Sequence, residues 1–339
     1  MPNKSAPARL LAALLALQLA CTCGRVETRT AAALRRHFRQ LQDVDAAACA
    51  VAWSLPYARA AQLPPGYPPA QPGGDDAPLR LSLFLLYQVD PPIAIAALRS
   101  LRSSSLAGER GLALNVTVVD NSAARDLSDG ADAATRQALA ELGPRLRVHT
   151  PLVPLDFQRS QNTVQELAYA ERCDAFYVMH SDAELQPGGA EHLMPLARAL
   201  VRQRWRPPSS PEAQPAGMVY FTRYDALVLF NPAATLKTGV WDINFGVGYG
   251  ADVDYYHRIS LAGFSTPNED DVSRIGPAVA ALGRRVNVTH EGSHSLKSKA
   301  FACSRELRMT LNFEGEWRGR YLSRKWGEYW NGSRPFAAG

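Results

Sequence analysis

Two carboxylates with one residue between them, Asp182 and Glu184, follow the apolar run Ala175-Phe176-Tyr177-Val178-Met179 after His180-Ser181. An acid-x-acid pair leaving a strand can place two oxygen donors on a hard divalent cation. A second acidic group lies in Tyr249-Gly250-Ala251-Asp252-Val253-Asp254-Tyr255-Tyr256-His257-Arg258. In a helix, Asp254 and Arg258 stand at i and i+4 and pair on one face. Asp252 is then left at the N-terminus, able to face a cleft. A third cluster, Val288-Thr289-His290-Glu291-Gly292, sets a histidine just after a short strand, where it could hold a metal or a phosphate. Each group also has a plainer account: a solvated acidic loop, a helix cap with a structural ion pair, and a surface histidine.

These groups depend on the elements that present them. Residues 79–87, Leu-Arg-Leu-Ser-Leu-Phe-Leu-Leu-Tyr, are apolar on both faces toward their end, as in an interior strand of a mostly parallel sheet. A helix is expected over 92–106, with Ile95, Leu98 and Leu101 inward, then a strand over 112–119 ending in Asp120-Asn121-Ser122. Helix, strand, helix and strand follow at 135–142, 146–149, 163–172 and 175–179. This alternation implies a doubly wound α/β layer, in which ligands bind beyond the carboxyl ends of the strands. A helix over 190–201 and two antiparallel strands, 218–222 and 226–230, complete the pattern. The strands are joined by a tight Arg223-Tyr224-Asp225 turn.

The chain of 339 residues is 46% hydrophobic and 20% charged, so a long disordered chain and a polytopic membrane protein both fit poorly. Its net charge of +5 comes from dispersed arginines, and no basic run interleaved with aromatics points to nucleic acid. Residues 1–23 read as a signal peptide or a short anchor: Lys4 and Arg9 precede an apolar run that is short for a membrane span. Membrane association through this segment stays open. Leu34, Phe38 and Leu41 mark a helical stem within 24–63, and a Pro/Gly-rich linker occupies 64–78. The main domain covers 79–310, and 311–339 form an aromatic-rich C-terminal extension. The expected location is the secretory lumen, Golgi or ER, with the protein secreted or anchored there. Of three Asn-x-Ser/Thr sequons, at Asn115, Asn287 and Asn331, only Asn331 is expected to carry glycan, because Asn115 opens an apolar stretch. Cys49, Cys173 and Cys303 would allow at most one disulfide among them.

In combination and in order, these segments resemble the family 2 type of GT-A glycosyltransferases, enzymes that use nucleotide-diphosphate sugars. The resemblance runs from about residue 79 to 299. It rests on Val118-Val119-Asp120-Asn121-Ser122, His180-Ser181-Asp182-Ala183-Glu184, Gly239-Val240-Trp241-Asp242, Asp252-Val253-Asp254 with Arg258 and Ala262-Gly263, and Val288-Thr289-His290. It implies a GT-A type doubly wound, mostly parallel sheet with a small antiparallel subsheet on the acceptor side. Asp120, with Asn121 and Tyr87, would meet the nucleotide. Asp182, Glu184 and His290 would hold Mn or Mg on the diphosphate, and Asp252 would be the general base. Trp241, Asp242, Asp254 and Arg258 would line the donor or acceptor sugar. An aromatic lid packed on the sheet is an equally simple account of Trp241.

The implied reaction moves a sugar from a nucleotide-diphosphate donor to a hydroxyl of a glycan, protein or small molecule, with inversion. Ala251 stands where the family has a second acid beside the base. The Gln-x-x-Arg-Trp motif of processive synthases is absent, since Gln203-Arg204-Trp205 has other spacing, so single addition is favoured. Two alternatives stay open. One is an inactive GT-A-like sugar-binding or scaffold protein, for which Ala251 speaks. The other is a nucleotidyltransferase, against which 87–92 offers no Gly-rich basic loop.

Overall fold

A computed structural model of the chain describes residues 78–87, 90–102, 112–122, 125–152, 157–207, 209–221, 225–242 and 251–290. The signal or anchor segment, the stem, nearly all of the linker and the C-terminal extension lie outside them. Among the described residues no helix is long and apolar enough to cross a membrane.

Strands β1 (Leu81–Tyr87), β2 (Asn115–Asp120), β3 (Leu146–His149) and β4 (Ala175–His180) run parallel, joined by α1 (Pro91–Ser100), α2 (Ala133–Ala140) and α3 (Phe157–Ala170). After β4 come a short β5 (Ala183–Leu185), α4 (Leu193–Arg202), β6 (Met218–Phe221), β7 (Leu227–Phe230) and α5 (Pro232–Thr238). The described chain closes with α6 (Ala251–Leu261), α7 (Val272–Ile275), α8 (Pro277–Val286) and β8 (Val288–His290). The main sheet has six strands in the order β3-β2-β1-β4-β7-β6, with β7 antiparallel to both neighbours. β5 and β8 form a separate antiparallel pair. The expected mostly parallel sheet with a small antiparallel subsheet is therefore what the chain forms.

Apolar residues on both faces of β1 explain its central position. Leu81, Leu83, Leu85 and Tyr87 enter one core with Leu98 of α1 and Leu196 of α4, while Phe84 enters the other with Val164 of α3 and Ile259 of α6. Burial of each such leucine stabilises the fold by about 1.5–3 kcal/mol.

α3 begins at Phe157, six residues before the expected start. Its first turns bury Gln158, Ser160 and Gln161, so an apolar period cannot reveal them. α1 ends at Ser100, short of the expected 106. Asn115 is exposed at the first position of β2, contrary to its expected burial, because the apolar face begins only at Val116. Asn287 is exposed as well, in a left-handed conformation after α8. Asn331 lies outside the described residues.

The Cys173 thiol lies between α3 and β4, 4.0 Å from Glu171 Oε2, and burial pushes its pKa up to about 12. At pH 8 Cys173 is therefore expected to resist alkylation in the native protein and to react within minutes in denaturant, which peptide mass mapping after iodoacetamide would show. Labelling at equal rates in both states would contradict this placement.

Candidate functional site

Asp120, Asn121, His180 and Asp182 all fall at the carboxyl edge of the parallel strands. Backbone pairing continues past the strand ends there: Asn121 N–H donates to Tyr87 O at 2.9 Å, and His180 N–H donates to Ala226 O at 2.9 Å.

Asp120 is 2% exposed, and its carboxylate accepts four hydrogen bonds from its own loop. Oδ1 receives Ser122 N–H at 3.1 Å and the Ser122 hydroxyl at 2.6 Å; Oδ2 receives Leu127 N–H at 3.2 Å and the Ser128 hydroxyl at 2.9 Å. Its evident work is to fold the loop after β2. Asn121 beside it donates from Nδ2 to Ser160 Oγ at 2.7 Å, while its buried Oδ1 has no hydrogen bond. A buried carbonyl with spare acceptor capacity at a strand end is a natural ligand contact. The Tyr87 hydroxyl is buried near the Asp126 carboxylate; burial above all, and then that carboxylate, raise its pKa.

Asp182 is half-buried in the turn between β4 and β5, and Glu184 is exposed on β5. Ala183 and Leu185, which flank Glu184, are buried, so β5 turns its apolar side to the core and Glu184 outward. β8 pairs with this strand: His290 lies opposite Ala183 and Thr289 opposite Glu184, with the Thr289 hydroxyl donating to Glu184 O at 3.1 Å. The fold thus brings backbone positions 182, 184 and 290, about a hundred residues apart in sequence, to one strand pair. Two carboxylates here suit a hard cation that keeps water or ligand oxygens in its remaining positions. Among the described side chains no three His, Cys, Asp or Glu converge on one point.

α6 carries Asp252 and Asp254 in its first turn, where acids suit the helix dipole. Asp252 is half-buried. Asp254 is fully buried and accepts from Arg258 Nε at 3.0 Å. Arg258 Nη1 donates to Val240 O at 2.8 Å and Thr238 O at 3.3 Å, and its guanidinium lies over the Tyr255 ring. The anticipated i,i+4 pair forms: Asp254 is inside the core and, with Arg258, ties α6 to the segment after α5. Trp241 is 1% exposed and stacks on Tyr255 at 4.2 Å, with Phe157 and Tyr256 edge-on to it, as in an aromatic cluster packed on the sheet. Asn162 clamps its backbone, accepting from Trp241 N–H at 2.7 Å and donating to Trp241 O at 3.2 Å. Asp242, the next residue, is half-buried at the end of this bracket.

The seat of α6 requires a glycine. A Cβ on Gly217 would come within 2.5 Å of Ile259 Cγ2 and 2.9 Å of Phe264 Cβ. Ala251, the residue before Asp252, is 2% exposed in the apolar core that also holds Phe230, Trp241 and Tyr255. Gln203-Arg204-Trp205 forms the turn after α4, and Trp205 is buried, so this tripeptide is structural.

Asp225 escaped sequence reasoning. It precedes β7, which runs antiparallel to β4, and its carboxylate Oδ2 accepts from the Tyr256 hydroxyl of α6 at 2.8 Å. The signal that could have found it is topological: the start of an antiparallel strand lies at the same edge as the ends of its parallel neighbours.

No family model matches this sequence, and no curated protein does. Among solved structures the chain is similar to the mannosyltransferase PcManGT from Pyrobaculum calidifontis in complex with GDP-Man and Mn2+, at 16% identity over 76% of this chain and 67% of that one, with a TM-score of 0.42. It is also similar to GalNAc-T7 with UDP, GalNAc and Mn2+, at 9% identity over 56% of this chain and 42% of that one, TM-score 0.40. A third is S. aureus TarS, at 11% identity over 74% and 44%, TM-score 0.40. The chain spans less than half the length of the last two, and all three superpose loosely.

Proposed function

We propose that this chain is a GT-A type glycosyltransferase that moves a sugar from a nucleotide-diphosphate donor to a hydroxyl acceptor, by single addition and with inversion. The observation that carries the proposal is the pairing of β5 with β8 at the carboxyl edge of the sheet, which joins the Asp182–Glu184 pair to the strand of His290. Asn121 and Asp252 have chemistry that suits the remaining parts of such a site.

In this proposal Asp182 and Glu184, with His290, hold Mn or Mg against the donor diphosphate. The ion, when bound, supplies charge neutralisation for the leaving group. Asn121 Oδ1 accepts from the nucleotide, and the Asp120-braced loop holds Asn121 in place. Asp252 accepts the proton of the attacking hydroxyl. Secretory-pathway location belongs to the same proposal, supported by the pattern of residues 1–23 and by the exposed asparagines of two sequons, Asn115 and Asn287.

The test is thermal stability of the full chain with UDP, GDP, CMP and their sugars, with Mn and with EDTA, since a ligand of the native state raises apparent stability by mass action. One nucleotide should stabilise the wild type only with the metal. Asp182→Ala should abolish that metal-dependent shift and leave the melting temperature without ligand within about 2 °C. Indifference of the wild type to every nucleotide would transfer support to the non-catalytic alternative, and equal shifts in variant and wild type would remove Asp182 from the metal.

A further inference from the structure

The Asp225–Tyr256 hydrogen bond spans the two halves of the candidate site. The β4–β7 register pairs Met179 with Leu227, and His180 N–H donates to Ala226 O. Asp225 precedes Ala226 and Ser181 follows His180, so Asp225 lies at the same strand edge as the Ser181-Asp182 turn. On the other side, Tyr256 lies four residues after Asp252 on α6, so the two share a face of that helix. The bond therefore runs from the edge that carries the acid-x-acid element to the helix face that carries Asp252.

The bond is more than packing requires. Asp225 is 8% exposed, and its second oxygen, Oδ1, is buried without a hydrogen bond. A neutral amide at this position could accept the same tyrosine hydroxyl with no buried charge. What the carboxylate adds is strength and fixed length, because a hydroxyl binds an ionised acceptor about twice as strongly as a neutral one. Tyr256 also packs against Trp241, ring centroids 6.1 Å apart in an edge-to-face arrangement, and Trp241 is itself clamped by Asn162.

We propose that Asp225 and Tyr256 are positioning residues that set the separation between Asp252 and the diphosphate end of the site. This rests on the transferase reading above. The tether touches no substrate: it acts through Asp252, and a displacement near 1 Å at a reacting group can cost about a hundredfold in rate.

The experiment compares full-length wild type, Tyr256→Phe, Asp225→Leu, which has a similar volume and no acceptor, the double variant and Asp252→Asn. It measures affinity for UDP and GDP, and turnover of UDP- and GDP-sugars with a panel of p-nitrophenyl glycosides as acceptors. Tyr256→Phe loses one hydroxyl and keeps the ring packing, so it is the variant that retains the fold. The tether predicts nucleotide affinity within about twofold of wild type and turnover lowered about ten- to a hundredfold in each single variant. Because both substitutions cut the same bond, the double variant should fall no further than the slower single one.

Lower melting temperature with unchanged turnover would make the bond structural only and overturn the proposal. So would equal losses in nucleotide affinity and turnover, or additive losses in the double variant. Silent tether variants beside an inactive Asp252→Asn would overturn the tether and leave the transferase standing. A wild type that binds no nucleotide and turns over no donor would overturn the transferase, and the tether with it.

Discussion

Asp252→Asn should lower turnover by about 10²–10⁴-fold while leaving donor affinity near wild type. The size follows from the role. The amide keeps the shape and the place of Asp252 in the first turn of α6 but cannot take the proton of the attacking hydroxyl. Donor affinity is spared because the proposal gives the nucleotide and diphosphate to other residues, Asn121 and Asp182 with Glu184. The expected signature is a loss in kcat with little change in donor KM, the mark of an interaction made only as the reaction proceeds. Unchanged turnover would remove Asp252 as base. Its competing role as a first-turn acid predicts a small loss of stability and no kinetic change. Melting temperature measured on the same samples separates the two.

Arg258→Met should destabilise the fold by about 3–5 kcal/mol, because it strips the cation from a fully buried carboxylate. Arg258 is 14% exposed and Asp254 0%, so solvent cannot take over the lost partner. The same substitution releases the Thr238 and Val240 carbonyls, which sit in the segment leading to Trp241 and Asp242. The double variant Asp254→Asn/Arg258→Met should recover part of the loss, since its buried polar group is neutral. Urea unfolding of the single and double variants measures both quantities. Additive losses would mean that the two side chains act independently, against the 3.0 Å contact between them.

The α/β layer was legible in the chain itself. Interior strands of a parallel sheet are apolar on both faces, and residues 81–87 and 175–180 show it without a partner in view. Their polar successors, Asp120-Asn121-Ser122 and Ser181-Asp182, mark the carboxyl edge of the sheet, because there the apolar run gives way to groups that hydrogen-bond the connecting loops. The i,i+4 pairing of Asp254 with Arg258 was also predictable, since helical spacing is local.

Burial was not predictable in the same way. Trp241 and Asp254 have the composition of a sugar-binding cluster, yet both are inside the core. Which face of a residue meets solvent depends on what packs against it, and for these two that is α3, α5 and the rest of α6. The early start of α3 was hidden for a related reason: its first turns bury glutamines and a serine, polar residues that leave no apolar period behind.

What the amino-acid sequence by itself determined is the order of strands and helices and the chemical type of each candidate group, because both follow from neighbours within a few positions. Only the tertiary structure decided which of these groups meet. The β5–β8 pairing that gathers positions 182, 184 and 290, and the Asp225–Tyr256 bond that joins β7 to α6, close contacts across 31 to more than a hundred residues. No local propensity encodes such contacts; they exist because two apolar faces of one sheet must both be covered, and covering them brings distant segments to the same edge.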